Sequence, residues 1–544
     1  MAAPAIFPGP DAYFGCVDLK YDAGSVRVLE LGDGHTSAFT GEGAFIPQRF
    51  HELGFGKLAR DPILDAIVEN KILTHDAFAD MGLRGLRPQA AAFPMMYCTG
   101  LARRVLDATG GGPCVLKLCD RARGCGVVAV ERPESLDEVL QALLLQVCDS
   151  PSPPPDADGG TVEATTTARW AECAQTAVAR VGLEEHAAHW RADEQDWFLA
   201  EAWCNSQPVL GPGGRAFDGT LRVGFALEAP SCNSDSSRIH LLGAYWKLPD
   251  AAADDALATF DERGVSHTRG GAGTAPCAAE DEEKVWAVLE TSLPRILRPG
   301  TLDVPHLMER YRDRPTLLAS ALARFAAGAV DVDSQAAWDA LRAAERLSES
   351  DGGPGVARVR SYVLRTRGTM SARGHVGKTD WETAAAHYDA ALEAMSHNAA
   401  AAYLRGMASF WRHEYERAGA LCCRSLLLDA DFAPAYCQLA TCCLLLGDPE
   451  AAASVSESLL TRHGRLASAH QHLAAALYAA EAKSGRCDAE RRRRAAAALA
   501  RARALQRGRS WAEADDSMLA ALEGGALSLP RVPVRTWLFH SWRL

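Results

Sequence analysis

Asp18 and Glu30 flank a Gly-containing turn in the stretch "VDLKYDAGSVRVLELGDG" (17–34), which reads as two short strands. A three-residue loop, Ala23-Gly24-Ser25, pairs Asp22 with Val26 and sets Asp18 directly opposite Glu30. Opposed side chains on one face of a hairpin stand about 5 Å apart, and like charges there weaken the sheet. A divalent cation neutralises such a pair. Carboxylate oxygens suit magnesium, which leaves its other positions to water and phosphate oxygens. A different loop length staggers the two acids and makes them an ordinary surface pair.

The complementary charge lies downstream. "GGGPCVLKLCDRARGCGVVAVE" (110–131) reads as an apolar strand over Cys114–Leu118 carrying Lys117, a loop with Arg123, Gly124 and Gly126, and a second strand over 127–130. Glycines in that loop let backbone N–H groups approach an anion, and Lys117 adds a point charge. "ENKILTHDAFADMGLRGLRPQ" reads as a helix carrying Lys71 that stops at Met81-Gly82. "DWFLAEAWCNSQPV" is a strand running into Glu201, Ala202 and Trp203, and "FDGTLRVGFAL" is a strand centred on Arg222. A buried strand rarely carries an isolated Arg without an anion to meet. "GAYWKLPD" adds Lys247 as a further phosphate or substrate contact. The isolated His35, His75 and His240 read as structural or surface residues.

The elements that must position these groups fall into two compositional halves. Up to about 310, strand and helix signals mix; from about 315 onward the chain is rich in Ala, Leu and Arg, with helical patterns only. "SPSPPPDADGGTVEATTTA" (150–168) has almost nothing to bury and reads as a flexible insertion, and "HTRGGAGTAPCAAEDEE" (267–283) is a second such stretch. The expected organisation is a domain over 1–310, a helical connector over 311–374, repeats over 375–485, and a basic helix with tail over 486–544.

Composition narrows the class. At 544 residues the chain exceeds one core, and 48% hydrophobic with 23% charged residues is ordinary for a globular protein. No apolar run reaches the roughly 18 residues of a membrane span, and the N-terminal stretch lacks the pattern of a secretory signal, so the expected location is cytoplasmic with no membrane partner. The 16 cysteines lack zinc-type CxxC pairing and read as buried, reduced thiols. A net charge of −12 argues against a nucleic-acid surface, and the basic run 491–509 reads as an Ala/Arg helix with a solvated face.

The helical half repeats with a period of 34: Leu439 with Leu473; Gly406, Ala440 and Ala474; Ala418 with Ala452; and Trp381, Ala384, Tyr388 and Ala391 in the register of Tyr415, Ala418, Cys422 and Ser425. Small residues where two helices touch, at that period, resemble the tetratricopeptide repeat (TPR) over about 375–480. Stacked helix pairs of this kind form a solenoid, which implies a peptide or protein partner.

Over roughly 14–300 the chain resembles the ATP-grasp ligases, in which a helix lysine, a strand lysine, a glycine-containing flap, a hinge strand, a strand arginine and a magnesium hairpin occur together. The fold implied is an α+β ATP-grasp-like nucleotide-binding domain followed by an all-α TPR-like solenoid. Carried over, Lys71 and Lys117 meet ATP phosphates, and Arg123, Gly124 and Gly126 belong to the flap. Glu201, Ala202 and Trp203 form the adenine hinge. Arg222 contacts the γ-phosphate or an acyl phosphate, and Asp18 and Glu30 hold magnesium.

The hairpin lies before the lysines, similar to the permuted glutathionylspermidine synthase type. The family's Asn two residues after the Glu is Gly32 here. Either Asp33 or a water replaces it, or metal binding is weakened. The resemblance implies ATP- and magnesium-dependent activation of a carboxylate as an acyl phosphate that an amine attacks, with one co-substrate a small molecule. Two rivals stand beside it: a degenerate ATP-binding scaffold, and a lysine–AMP nucleotidyltransferase, against which "LKLCD" lacks the Gly of KxDG.

Overall fold

A computed structural model describes residues 12–22, 25–33, 42, 45–53, 68–120, 125–145, 165–179, 182–228, 238–265, 273–297, 304–330, 333–349, 355–372, 380–464, 466–484 and 488–505. In chain order, the first half runs β1 (Ala12–Asp22), β2 (Ser25–Asp33), α1 (Ile46–Glu52), α2 (Lys71–Asp80), β3 (Ala90–Pro94), α3 (Leu101–Thr109), β4 (Cys114–Leu118), β5 (Val128–Val130) and α4 (Leu136–Leu144). Then come α5 (Thr165–Val178), α6 (Gly182–Ala192), β6 (Trp197–Ala202), β7 (Val209–Leu210), β8 (Ala216–Phe217), β9 (Thr220–Glu228), β10 (Arg238–Lys247), α7 (Phe260–Gly264), β11 (Thr274–Pro276) and α8 (Ala279–Ile296). The rest is helical: α9 (Val304–Arg310), α10 (Pro315–Ala329), α11 (Ser334–Glu349), α12 (Val356–Ala372), α13 (Trp381–Ala394), α14 (Ala399–Trp411), α15 (Tyr415–Leu428), α16 (Ala433–Leu445), α17 (Pro449–Arg462), α18 (Ala467–Ser484) and α19 (Ala489–Leu505).

The chain divides into two compact units, one of 1–146 with 193–366 and one of 147–192 with 367–544. Chain order and spatial grouping differ here: α5 and α6 sit in the middle of the first half of the sequence but belong to the helical unit. Helix α5 begins at Thr165, inside the stretch expected to be a flexible insertion, and β11 and the start of α8 lie inside the second such stretch. Residues 150–164 lie outside the described part.

In the first unit, one antiparallel sheet has the order β11-β10-β9-β1-β2 and a second has the order β3-β6-β4-β5. The period-2 alternation of β1 divides its work between two faces. Tyr13, Val17, Leu19 and Tyr21 enter a core with Val26, Val28 and Leu31 of β2, Leu221, Val223, Phe225 and Leu227 of β9, and Val285, Leu289, Leu293 and Ile296 of α8. Each Leu or Ile fully buried there contributes about 1.5–3 kcal/mol. Phe14, Cys16, Asp18 and Lys20 alternate onto the other face. At one end of that face α1 seals an apolar patch, with Ile46 and Phe50 against Phe14, Ala226, Leu242 and Tyr245. Asp18 and Lys20 lie beyond the patch.

In the second unit, the hydrogen bonds of the helix ends repeat at the spacing seen in the sequence. Glu414 N–H donates to Ser409 O and Asp448 N–H to Cys443 O; Met395, Asp429 and His463 N–H donate to Ala391, Ser425 and Leu459 O. Both series are spaced by 34, the signature of one helix pair stacked repeatedly. Ala418 and Ala452 are fully buried, and a Cβ on Gly406 would stand 3.2 Å from the Ala418 carbonyl, so small residues set the close approach of α14 and α15.

Helix α5 packs on α15 and α17 of this repeat. Trp170 lies flat on Gly419, where any Cβ would come within 2.3 Å of its ring, and Ala171, Ala174 and Ala177 bury with it. Its C-terminal carbonyls, Ala177 O and Val178 O, accept from Arg462 Nη2 at 3.3 and 3.4 Å. Arg462 Nη1 reaches Glu185 and Asp431 at 3.0 Å each, and His189 lies 2.8 Å from Asp431 and 3.2 Å from Asp429.

The basic helix α19 carries its arginines against acids: Arg491 near Glu450 and Asp488 at 3.7 Å, Arg492 on Glu481 at 2.6 Å, Arg493 on Glu490 and Arg494 on Glu457. Cys422, Cys423, Cys442 and Cys443 are buried, and among the described residues no disulfide forms. Among the described residues, no helix is long and apolar enough to cross a membrane.

Candidate functional site

The hairpin sets Asp18 opposite Glu30, but by a different route from the expected three-residue loop. Asp22 pairs with Ser25, Tyr21 with Val26 and Leu19 with Val28; a one-residue register shift between Leu19 and Asp18 then brings Asp18 opposite Glu30. The sequence pattern gave the net offset, while the bulge at Leu29 supplies the extra residue that the loop was expected to hold. Residues 23 and 24 lie outside the described part.

The next strand places Arg222 opposite Asp18 on its other side. Arg222 grips Asp18 with two parallel bonds, Nε to Oδ1 at 2.7 Å and Nη2 to Oδ2 at 2.8 Å, and Lys247 Nζ donates to Oδ2 at 2.6 Å. Burial pulls the Asp18 carboxyl upward, but the Arg222 and Lys247 charges overcome it and hold the group well below the usual carboxylate range. Burial, and then the charge of Arg222, push Lys247 below the usual lysine range despite Asp18. Asp18 thus has protein cations of its own on the side away from Glu30.

Lys71 completes the row. Asn70 caps α2 by accepting from the N–H groups of Ile72 and Leu73, which fixes Lys71 in the first turn. Its side chain comes within 3.3 Å of Glu30, while its backbone N–H donates to Cys119 O at the end of β4. Two residues back along that strand, Lys117 pairs with Glu201 of β6. Glu201 also takes Arg87 Nη2 at 2.6 Å, and the other end of that guanidinium, Nη1, donates to Leu29 O beside Glu30 at 2.9 Å. Burial raises the Glu201 carboxyl, and Lys117 and Arg87 more than reverse this. Lys71 and Arg87 therefore join the charged groups of the two sheets into one cluster.

Among the described residues the cluster holds five cations (Lys71, Arg87, Lys117, Arg222 and Lys247) and three carboxylates (Asp18, Glu30 and Glu201). Cationic side chains gathered in this way suit a phosphate chain better than a neutral substrate. Arg87, inside "LRGLRPQ", was not singled out from the sequence; its position just before Pro88 fixes an extended backbone there, the only local signal it carries. Lys20 is a second omission. It shares the Asp18 face and is held by Asp218 at 2.8 Å.

The proposed hinge differs from the expectation. The N–H groups of Ala202 and Trp203 already donate to Gln89 O and Pro113 O at 2.7 and 2.9 Å, so neither is available to an adenine. Glu201 is a buried counter-ion of two cations. The Trp203 ring packs on Phe260 with centroids 4.3 Å apart. Gly126 is left-handed, with φ 69°, at the end of the proposed flap; Arg123 and Gly124 lie outside the described residues.

A magnesium site built on Asp18, Glu30 and Asp33 does not fit this arrangement. Three of the four lone pairs of Asp18 are taken by cationic donors, two on Oδ2 and one on Oδ1, and Gly32 pairs with Cys16 where the family's amide ligand would stand. Asp33 pairs through its backbone with Gly15. Glu30, with its side chain 39% exposed, is the carboxylate of the pair left open to solvent.

No family model matches this chain, and no curated protein does. Among solved structures it is similar to the crystal structure of yeast Tom70, at 14% identity and a TM-score of 0.30, over 48% of each chain.

Proposed function

We propose that the chain is an ATP-dependent carboxylate–amine ligase of the ATP-grasp type, located in the cytosol. Its TPR-type repeats recruit a peptide or protein substrate, and the second co-substrate is a small amine or carboxylate. The observation that carries this reading is the cluster of five cations and three carboxylates spanning two antiparallel sheets. Lys71, Lys117, Arg222 and Lys247 offset the charge of a triphosphate and of the transferring phosphoryl group, so catalysis is mostly positional and electrostatic. Lys117 and Arg222 carry the largest share because each lies on a strand and is held in place by a buried carboxylate partner. The period of 34 in helix-end hydrogen bonds supports the repeat half of the reading.

The competing reading, a nucleotide-binding scaffold without turnover, draws on specific features: the engaged Ala202 and Trp203 N–H groups and the Asp18 oxygens bonded to Arg222 and Lys247. Incubating the full chain with ATP, hydroxylamine and candidate carboxylates separates the two. A ligase gives hydroxamate and ADP in step, and loses both at least 100-fold in Lys117→Ala and several-fold in Glu30→Gln. Nucleotide binding with no hydroxamate from any carboxylate sinks the ligase reading in favour of the scaffold.

A further inference from the structure

Asp18 is the residue whose expected and observed surroundings disagree most. A carboxylate that ligates a divalent cation must present a free oxygen lone pair in the direction of the ion. Asp18 is 7% exposed and gives three of its four lone pairs to N–H donors, both of Oδ2 and one of Oδ1, so that a two-pronged Arg222 fork and Lys247 already occupy the directions a cation would need. The fork is enforced by the sheet, because Asp18 and Arg222 are register partners on β1 and β9, and Lys247 reaches in from β10, where it pairs with Thr220. A planar guanidinium held by both prongs has its remaining N–H groups fixed in direction. A Lys held at one oxygen is likewise kept from folding back along its strand.

We infer that Asp18 is a positioning residue, which aims Arg222 and Lys247 at a phosphate-bearing ligand, and that it is not a ligand of a divalent cation. This rests on the nucleotide reading of the same cluster. Glu30, opposite Asp18 and within 3.3 Å of Lys71, with its side chain 39% exposed, is the carboxylate through which a cation accompanying the phosphates is felt. The two acids of one hairpin pair thus act on different cations: Asp18 on Arg222 and Lys247 of the protein, Glu30 on the cation that accompanies the phosphates.

The test uses the full chain with two probes, ADP in excess EDTA and Mn²⁺ followed by electron paramagnetic resonance. Asp18→Asn keeps the side-chain volume but puts an amide NH₂ against one cation. It should weaken metal-free ADP binding at least 10-fold while changing the Mn²⁺ affinity of the ADP-bound protein less than 2-fold. Asp18→Glu, which retains the carboxylate, should recover most of the lost ADP affinity, a rescue that a space-filling role would not show. Glu30→Gln should do the reverse, weakening Mn²⁺ with little effect on metal-free ADP. Unchanged metal-free ADP binding in Asp18→Asn, together with Mn²⁺ weakened 10-fold or more, overturns the inference. If the wild type binds no ADP at all, the nucleotide reading fails on its own. The metal question is then decided by denaturation in 5 mM Mn²⁺. A rise in the wild-type midpoint that vanishes in Asp18→Asn overturns the inference, and an unchanged midpoint upholds the exclusion of Asp18 as a ligand. Should Asp18→Asn fail to fold, Asp18→Glu alone is read on both probes, with a 10-fold Mn²⁺ loss at unchanged ADP affinity again the overturning result.

Discussion

Both units bury a cluster of charged side chains, and the two clusters are balanced in opposite senses. Among the described residues of the first unit, five cations stand against three carboxylates. Among those of the second, one permanent cation, Arg462, sits with the imidazoles of His189 and His463 among the acids Glu185, Asp429 and Asp431. What they grip also differs. Arg462 uses one nitrogen to cap α5 through Ala177 O and Val178 O, binding the inserted helix to the repeat. Arg222 meets a side chain from the next strand. A surplus of one sign asks for a ligand of the other sign, whereas a cluster whose members hold backbone ends is a joint.

Removing one cation from each cluster breaks or upholds this contrast. Arg462→Met leaves Glu185 and Asp431 facing each other and two helix-end carbonyls without their donor, a loss of about 3–5 kcal/mol for a broken buried pair. Lys247→Met removes a cation already repelled by Arg222, and Asp18 keeps its two-pronged partner, so the stability change stays within about 1 kcal/mol. Urea denaturation of the full chain measures both. Equal losses in the two variants would erase the distinction between joint and ligand site.

The sequence shows one of these clusters far better than the other, for a physical reason. Asp18, Glu30, Lys117 and Arg222 lie on strands, where period-2 alternation puts a charged residue conspicuously among apolar ones and strand pairing makes the offset countable. Even so, the count was reached with the wrong loop, because a bulge at Leu29 and a longer loop give the same offset. Arg87 sits outside any strand, so no alternation marks it. The joint was invisible. Its members come from α6, α17 and the turn after α15, separated by up to about 280 residues, and no local pattern announces a contact at that range. Composition misread the same region: Thr165 to Thr167 looked like linker, although the helix they open carries Trp170 and a run of alanines onto the repeat. The repeat period itself was plain, since it is written in the spacing of small residues.

A second contrast sharpens the first: the cation-rich unit also buries an acid that no ion pair among the described residues includes. Asp196, just before β6, buries Oδ1 without a hydrogen-bond partner among the described residues. Burial pushes its pKa up to about 6, against weaker pulls from the Thr316 hydroxyl, its own backbone N–H and Arg358. Because the folded value lies above the unfolded value of 3.8, the folded state binds the extra proton between about pH 4 and 6. Stability therefore falls as pH rises through that window and is flat above it, by ~3 kcal/mol for a shift of this size. Asp196→Asn should gain ~2–3 kcal/mol at pH 8 and nothing at pH 4, flattening the midpoint-versus-pH curve. A variant less stable than the wild type at pH 8 would mean that the ionised carboxylate has a favourable partner.

The smallest expected effect lies at the joint between repeated helices. His413 ends α14 with φ 66°, and Gly447, 34 residues on, ends α16 with φ 79°. The hydrogen bonds around them match as well: His413 N–H to Phe410 O and Gly447 N–H to Leu444 O, at 2.9 and 3.1 Å. The same left-handed turn is thus made once by the residue suited to it and once by one that is strained there, with His413 Nδ1 drawn to 2.9 Å from the Tyr415 hydroxyl. His413→Gly should raise stability by ~0.5–1 kcal/mol, and Gly447→Ala should lower it by a similar amount, both read by urea denaturation. If His413→Gly instead costs stability, the imidazole contact to Tyr415 outweighs the backbone strain. The helical unit would then depend on side-chain bonds at its exposed turns as well as on the buried joint around Arg462.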